Sequence, residues 1–302
     1  MKKEKDISWK LLAHDLGVSE HTVRYGWLKK GNTIPFSIFQ KLIVLNKSRS
    51  FNFLNYVLLE DPFWGQRLGA KSKQDAYIRL PQKNTVDFAE FYGIMLGDGC
   101  IYSTGSGFCI SSDSFFDKEF ILSYVPALIY KLFNLSPHFY FPKNSRVVNC
   151  VVYNKKIVHF LIANGFPKGK KIPANPTIPS LFFKKPELLK ACIRGIVDTD
   201  GSVSSHPHTK IMIHISIVSD TLRTSVSNGL KKLGMIVGTY DKGIEFYGKK
   251  KAIEYFRIID SSNVKHKLKY DLFLQNNYVP KKKEMQEYLN EKRTHSLNGL
   301  VV

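Results

Sequence analysis

Apolar and polar positions from about residue 86 onward show a pattern that occurs twice. The first copy opens on Phe88-Ala89-Glu90-Phe91-Tyr92-Gly93-Ile94-Met95-Leu96-Gly97-Asp98-Gly99, the second on Leu189-Lys190-Ala191-Cys192-Ile193-Arg194-Gly195-Ile196-Val197-Asp198-Thr199-Asp200-Gly201. Aligned on the final Asp-Gly, small residues recur every fourth position: Ala89, Gly93 and Gly97 in one, Ala191, Gly195 and Thr199 in the other. That spacing puts each set on one helix face. A glycine inside a helix costs about 0.5–1 kcal/mol relative to alanine. Two helices that accept this cost at matching positions are predicted to pack closely against each other. The segments after each helix also repeat. After Asp98 the pattern predicts a hairpin over Ile101–Ser111, a helix over Phe116–Phe133, strands at His138–Pro142 and Val147–Tyr153, and a helix over Lys156–Asn164. After Asp200, residues 210–217 alternate with period two, the mark of a half-buried strand. Then come a helix at Asp220–Leu233, strands at Ile236–Tyr240 and Gly243–Tyr247, and a helix at Lys250–Ile259. The fold class is therefore α+β: two αββαββα repeats, each with one sheet face under helices and the other open and polar.

The N-terminal stretch reads differently. Trp9, Leu11, Leu12, Ala13 and Leu16 suit a short helix stopping at Gly17, a good left-handed position. Ser19 is a plausible cap for a second helix running to about Lys30, with Val23, Trp27 and Leu28 inward and His21, Arg24, Tyr25 and Lys29 outward. A third helix starts after Pro35 and buries Ile38, Leu42 and Leu45. Helix, glycine turn and helix at this spacing resemble a helix-turn-helix of the Cro-like kind, in which Arg24 would face bases or phosphates; a generic three-helix module is the alternative. The domain reading is residues 1–48 helix-turn-helix, 49–85 linker, 86–180 first repeat, and 181–302 second repeat with a basic tail. Within 49–85, Phe51–Leu59 is apolar, and Lys71 and Lys73 are solvated charges or phosphate contacts.

Composition changes this picture in one respect. The 302 residues carry 45 Lys plus Arg against 25 Asp plus Glu, a net charge of +20, which favours a polyanionic partner, nucleic acid first. No apolar run is long enough to span a membrane, and the charged start lacks the apolar stretch of a secretory signal. The four cysteines, Cys100, Cys109, Cys150 and Cys192, form no CxxC pair and read as small apolar residues of a reducing, cytoplasmic setting, nucleoid-associated, with an organelle as the alternative. From Tyr140 to Lys171 stand Lys143, Arg146, Lys155, Lys156, Lys168, Lys170 and Lys171 with no acid among them. With His138, Tyr140 and Tyr153 interleaved, this stretch fits a surface that tracks phosphates and reads base edges. The second repeat offers Lys210, Met212, His214 and Ser216, then Lys242, Glu245 and Tyr247; Lys281-Lys282-Lys283 reads as solvated tail.

Asp98 and Asp200 end their helices, each before a glycine suited to a left-handed cap. The helix dipole opposes an anion there by roughly 0.3–1 kcal/mol. Paired helices would bring the two acids together, adding repulsion. A side-chain turn cap would explain one such aspartate; a bound divalent cation explains two at equal register.

These helices resemble the paired motifs of LAGLIDADG homing endonucleases, in the two-motif, single-chain form, over about residues 86–275. The second motif, Ile193 to Gly201, keeps both acids and the central glycine. The first has Leu96 where the first acid usually stands. The resemblance implies a monomeric saddle over the DNA major groove, with Mg²⁺ (or Mn²⁺) at Asp98 and Asp200 activating water against one phosphate of each strand. It also implies a basic residue beside each metal: Lys170 in the first repeat, and Lys267, with Lys265 close behind, in the second. The expected activity is site-specific, double-strand DNA cleavage by an intron-encoded type of enzyme. The alternatives are a DNA-binding regulator that no longer cuts, or an RNA splicing maturase. The opening Met1 and the absence of a closing His-Asn disfavour an intein.

Overall fold

The computed structural model describes residues 7–30, 32–46 and 77–298 in two compact units, one within residues 1–70 and one within 71–302. Phe51–Leu59, Lys71 and Lys73 lie outside the described residues.

In the first unit, α1 (Trp9–Leu16) is capped by Ser8, whose side chain accepts the Leu11 N–H, and ends at Gly17 with φ 72°. After it come α2 (Thr22–Lys29), wound as a π-helix, and α3 (Phe36–Asn46). Leu12, Ala13, Leu16 and Val23 form a small core, with Trp27, Ile38, Leu42 and Leu45 against it. Leu28, expected inside, is 63% exposed.

In the second unit, α4 (Val86–Gly97) leads into β1 (Gly99–Ile101) and β2 (Phe108–Asp113). A π-wound segment at Phe120–Tyr124 precedes α5 (Val125–Phe133), then β3 (His138–Tyr140), β4 (Val147–Val152) and α6 (Lys155–Ala163). The order repeats as α7 (Pro186–Asp200), β5 (Gly201–Ser204), β6 (Met212–Ser216), α8 (Asp220–Lys232), β7 (Gly238–Tyr240), β8 (Gly243–Tyr247) and α9 (Gly248–Ile258). The two antiparallel sheets have the same topology, β1-β2-β4-β3 and β5-β6-β8-β7. The duplicated αββαββα reading is thus the observed one.

The covered faces carry the core: Phe108, Ile110, Val148, Cys150 and Val152 in one sheet, and Ile213, Ile215, Ile244 and Phe246 in the other, are buried. The central element is the α4–α7 pair. A Cβ on Gly93 would collide with the carbonyl of Cys192, and one on Gly195 with the carbonyl of Glu90. These contacts are related by the pseudo-two-fold, since Cys192 and Glu90 stand at the same offset before Asp200 and Asp98. The four-residue stripes therefore do what their spacing implied.

Three local readings change. Gly99 and Gly201 are not left-handed caps: neither has positive φ, and Gly201 is extended at φ −94°, ψ 163°. Glycine is needed because each helix turns at once into a strand, and a Cβ would strike the Met95 or Val197 backbone. The stretch assigned to a linker ends inside the fold: Ile78 is buried, and the Arg79 N–H donates to the Phe133 carbonyl at 3.1 Å. Two helices unforeseen in the sequence come after the repeats, α10 (Val264–Asn276) and α11 (Lys282–Asn298), so the basic tail opens a helix. Among the described residues, no helix is long and apolar enough to cross a membrane.

Candidate functional site

Helix packing decides where the acids go. Gly97 lets Thr199 against α4, and the Asp200 Oδ2 lies 3.4 Å from where a Cβ on Gly97 would stand. Asp98 and Asp200 thus meet at one end of the helix pair, where both sheets begin. Burial pushes the Asp98 carboxyl up to about 6; Lys171 pulls against that, Asp117 adds to it and Lys265 opposes it. Burial and then the charge of Asp98 push Asp200 up to about 7, against the pull of Lys171.

Of the two lysines at the end of the first repeat, Lys171 holds this position. Its ammonium donates to the carbonyls of Met95 (3.3 Å), Leu96 (2.8 Å) and Gly97, the open end of α4. Burial draws its pKa down, while Asp200 and Asp98 hold it up. Lys170, the expected residue, is exposed. The chain runs beside β1, with the Gly169 N–H on the Ile101 carbonyl at 3.0 Å, then enters a 3₁₀ turn at Ile172–Ala174. That turn directs Lys171 to the helix end and leaves its neighbour in solvent.

Lys267 also misses the acids, pairing at 3.2 Å with half-exposed Asp260. Lys265 reaches Asp117 at 2.6 Å instead, with both side chains largely buried. Because this segment is helix α10, Lys265 and Lys267 point to different sides, whereas Lys265 and Lys269 share one. Lys269 donates to the Val203 carbonyl at 3.0 Å, and burial lowers its pKa to about 8.

Below the acids a buried polar clamp joins the repeats. Glu90 of α4 accepts from Tyr124 (2.6 Å), Ser262 (2.5 Å) and Arg194 of α7 (2.5 Å). Asp198, the acid that Leu96 replaces in the first repeat, accepts from Ser261 and from the Ser262 N–H at 2.8 Å. It is a structural anchor turned away from the helix-end pair. Glu90, Arg194, Asp117 and Asn263 were not singled out in the sequence; an acid and an arginine inside apolar helix patterns were the available signal.

The candidate binding residues divide. His214 lies on the open face of β6 opposite Ser202, with Nδ1 3.0 Å from Glu245. Lys143 and Lys242 are exposed at strand turns, and Lys210 is exposed with φ 68° just before β6 rather than on it. Arg146 is tied to Asp113 at 3.0 Å and lies over the Phe116 ring. Lys155 and Lys156 begin α6 on the covered side of the sheet, so neither lies on a strand face. Asn154 caps that helix through its side chain, which is what ends β4 so early. Arg24 pairs with Glu20 at 3.1 Å on the exposed side of α2.

The donor chemistry suits a hard divalent cation: two carboxylates that repel each other, beside backbone carbonyls that already attract an ammonium. Among the described residues no three His, Cys, Asp or Glu side chains cluster as ligands. A cation here would be held by Asp98, Asp200 and helix-end carbonyls, with water completing its shell.

The buried acids impose a pH dependence. The folded chain binds protons at Asp98 and Asp200 more tightly than the unfolded chain, so these groups make stability fall as pH rises from about 4 to about 7. A divalent cation held by these carboxylates would compete with those protons. Melting curves are expected to show a Mg²⁺-induced rise at pH 8 that shrinks at pH 5; an equal rise at both would place the cation elsewhere.

The fold and site define a two-repeat αββαββα protein with paired aspartates at its centre. A family model described as a LAGLIDADG-like domain matches residues 187–270, within its second repeat. The chain is 26% identical over 165 residues to an A-type ATP synthase subunit of Pyrococcus abyssi, a match spanning 55% of this chain but only 15% of that protein. Among solved structures, the homing endonuclease I-DmoI bound to DNA and Mn is similar at 18% identity, with 59% of this chain and 97% of that chain covered and a TM-score of 0.40. Full-length DUF199/WhiA from Thermatoga maritima is similar at 12% identity, with 71% and 69% covered and a TM-score of 0.43.

Proposed function

We propose that the chain is a site-specific endonuclease that hydrolyses phosphodiester bonds on both strands of DNA with a divalent metal, Mg²⁺ or Mn²⁺. The observation that carries this is the pair Asp98 and Asp200, brought together at matched helix ends where burial and mutual repulsion disfavour them. A bound cation supplies Lewis-acid activation of water and stabilises the leaving oxygen. Asp98 and Asp200 hold it. Lys171 and Lys265 place positive charge where the negative charge of a five-coordinate phosphate develops. The open sheet faces, with His214, Ser202, Ser111 and Asn149, lie against the duplex, and Lys143, Lys210 and Lys242 at their turns meet phosphates. One chain contains both halves, so it acts as a monomer. Residues 1–48 add a helix-turn-helix contact through Arg24.

Lys171 favours a second reading. An ammonium already bonded at the acid end neutralises it from within, as suits a DNA-binding regulator that does not cut. Incubating the full chain with a library of long duplexes and Mg²⁺ separates the two. Double-strand breaks at one sequence, lost in EDTA, support the nuclease. Sequence-specific binding without breaks in Mg²⁺ or Mn²⁺ supports the regulator, and binding confined to structured RNA overturns both in favour of a splicing role.

A further inference from the structure

The loop between α9 and α10 belongs to the second repeat but is gripped from three elements. Glu90 of α4 binds Ser262, Asp198 of α7 binds Ser261 and the Ser262 N–H, and Asp117, just before the π-wound segment, binds Asn263. Asn263 is 1% exposed and every polar group of its side chain is used. Its Oδ1 accepts the Lys265 N–H at 3.1 Å and so caps α10. Its Nδ2 donates both to the Asp198 carbonyl in the last turn of α7, at 3.0 Å, and to the Asp117 Oδ1, at 2.6 Å. That same Asp117 oxygen is 2.6 Å from the Lys265 ammonium. One amide thus fixes a carboxylate of the first repeat and a lysine of the second at the acid end of the helix pair.

We propose that Asn263 is a positioning residue that sets the Asp117–Lys265 pair beside Asp98, making that half of the site depend on a helix delivered by the other repeat. The two halves are then unequal by construction. Lys171, from the first repeat, is bonded to the main-chain carbonyls of α4 and acts on both acids, whereas Lys265 acts on Asp98 alone. Lys265 crosses between repeats and stands where a side-chain bridge holds it. Nothing corresponding to Asp198 exists in the first repeat, where Leu96 is buried in the core.

Asn263→Ser tests this because serine keeps the helix cap and removes only the bridging donor. Acetylation of the full chain, followed peptide by peptide, reads the Lys265 position, with exposed Lys170 and Lys267 as internal references. Lys265 is expected to react slowly in the wild type and about tenfold faster in Asn263→Ser, the scale on which loss of an orienting partner acts. Asp117→Asn should release it equally. A Lys265 rate unchanged in Asn263→Ser overturns the proposal. The second readout rests on the nuclease reading: Asn263→Ser should slow the nick on one strand about tenfold through kcat, with KM unchanged. Equal slowing of both strands overturns the placement beside Asp98. A wild type that cuts nothing counts against the nuclease reading, and acetylation then decides the positioning alone.

Discussion

Asp200→Asn is expected to abolish Mg²⁺-dependent cleavage while raising the stability of the metal-free chain. The two effects have one cause. Burial and Asp98 hold the Asp200 carboxyl up near 7, so at pH 8 the folded chain keeps an anion in a place that resists it. Asparagine has nearly the same shape without the charge. At about 1.4 kcal/mol per pKa unit, its removal stabilises the fold by about 1–4 kcal/mol at pH 8. Lys171 loses an attractive partner, which offsets part of that gain. The difference should close toward pH 5, where the wild-type carboxyl takes up its proton. Cleavage should fall at least about 10³-fold, since that loss corresponds to only about 4 kcal/mol of transition-state stabilisation. DNA binding should persist, because the sheets and turns that would meet DNA are untouched. Asp98→Asn should act alike, with a smaller stability gain because its carboxyl is raised only to about 6. Opposite movement of activity and stability is the signature of a functional site. A purely structural aspartate would lose both, and that outcome in thermal melts at pH 8 would remove the acids from the proposed mechanism.

Much of this architecture was legible because it is written twice. A glycine stripe is weak evidence in one helix, yet the same offsets before two Asp-Gly pairs fixed which face of α4 meets which face of α7. The period-two run over 210–217 announced a half-buried strand but not which face is open; the structure buries Ile213 and Ile215 and leaves His214 on the other face. What could not be read was direction over short distances. Lys170 and Lys171 differ by one position, and only the 3₁₀ turn after them decides which reaches Asp98. Lys265 and Lys267 became distinguishable once Val264–Asn276 proved helical; lysines at every second position, 265, 267 and 269, had hidden that helix. Glu90 and Arg194 were in plain view inside the repeated helices. Their pairing depends on the backbones coming close enough for one side chain to cross, which no single-helix pattern states. Arg146, counted among phosphate contacts by charge alone, is held by an aspartate more than thirty positions earlier.

The closeness of that crossing gives the second large effect. Gly93→Ala is expected to destabilise the chain by about 2–4 kcal/mol, although alanine is the better helix former by about 0.5–1 kcal/mol. Its Cβ would fall on the Cys192 carbonyl, which is backbone and cannot turn aside, so the two helices must separate along their length. Gly229→Ala is the control. It too places a Cβ in a helix against packed neighbours, but these are the Ile193 and Leu189 side-chain ends at 3.0 and 3.1 Å, which can rotate. That variant should stay within about 1 kcal/mol of the wild type. Gly195→Ala meets the Glu90 carbonyl from the other side of the pseudo-two-fold and should cost as much as Gly93→Ala. Because one separation relieves both collisions, the double variant should cost clearly less than the sum. Additive losses in urea unfolding would mean that each glycine answers a local strain and not a shared helix contact. The same separation parts Asp98 from Asp200, so Gly93→Ala should also weaken the Mg²⁺-induced rise in melting temperature at pH 8, while Gly229→Ala leaves it intact.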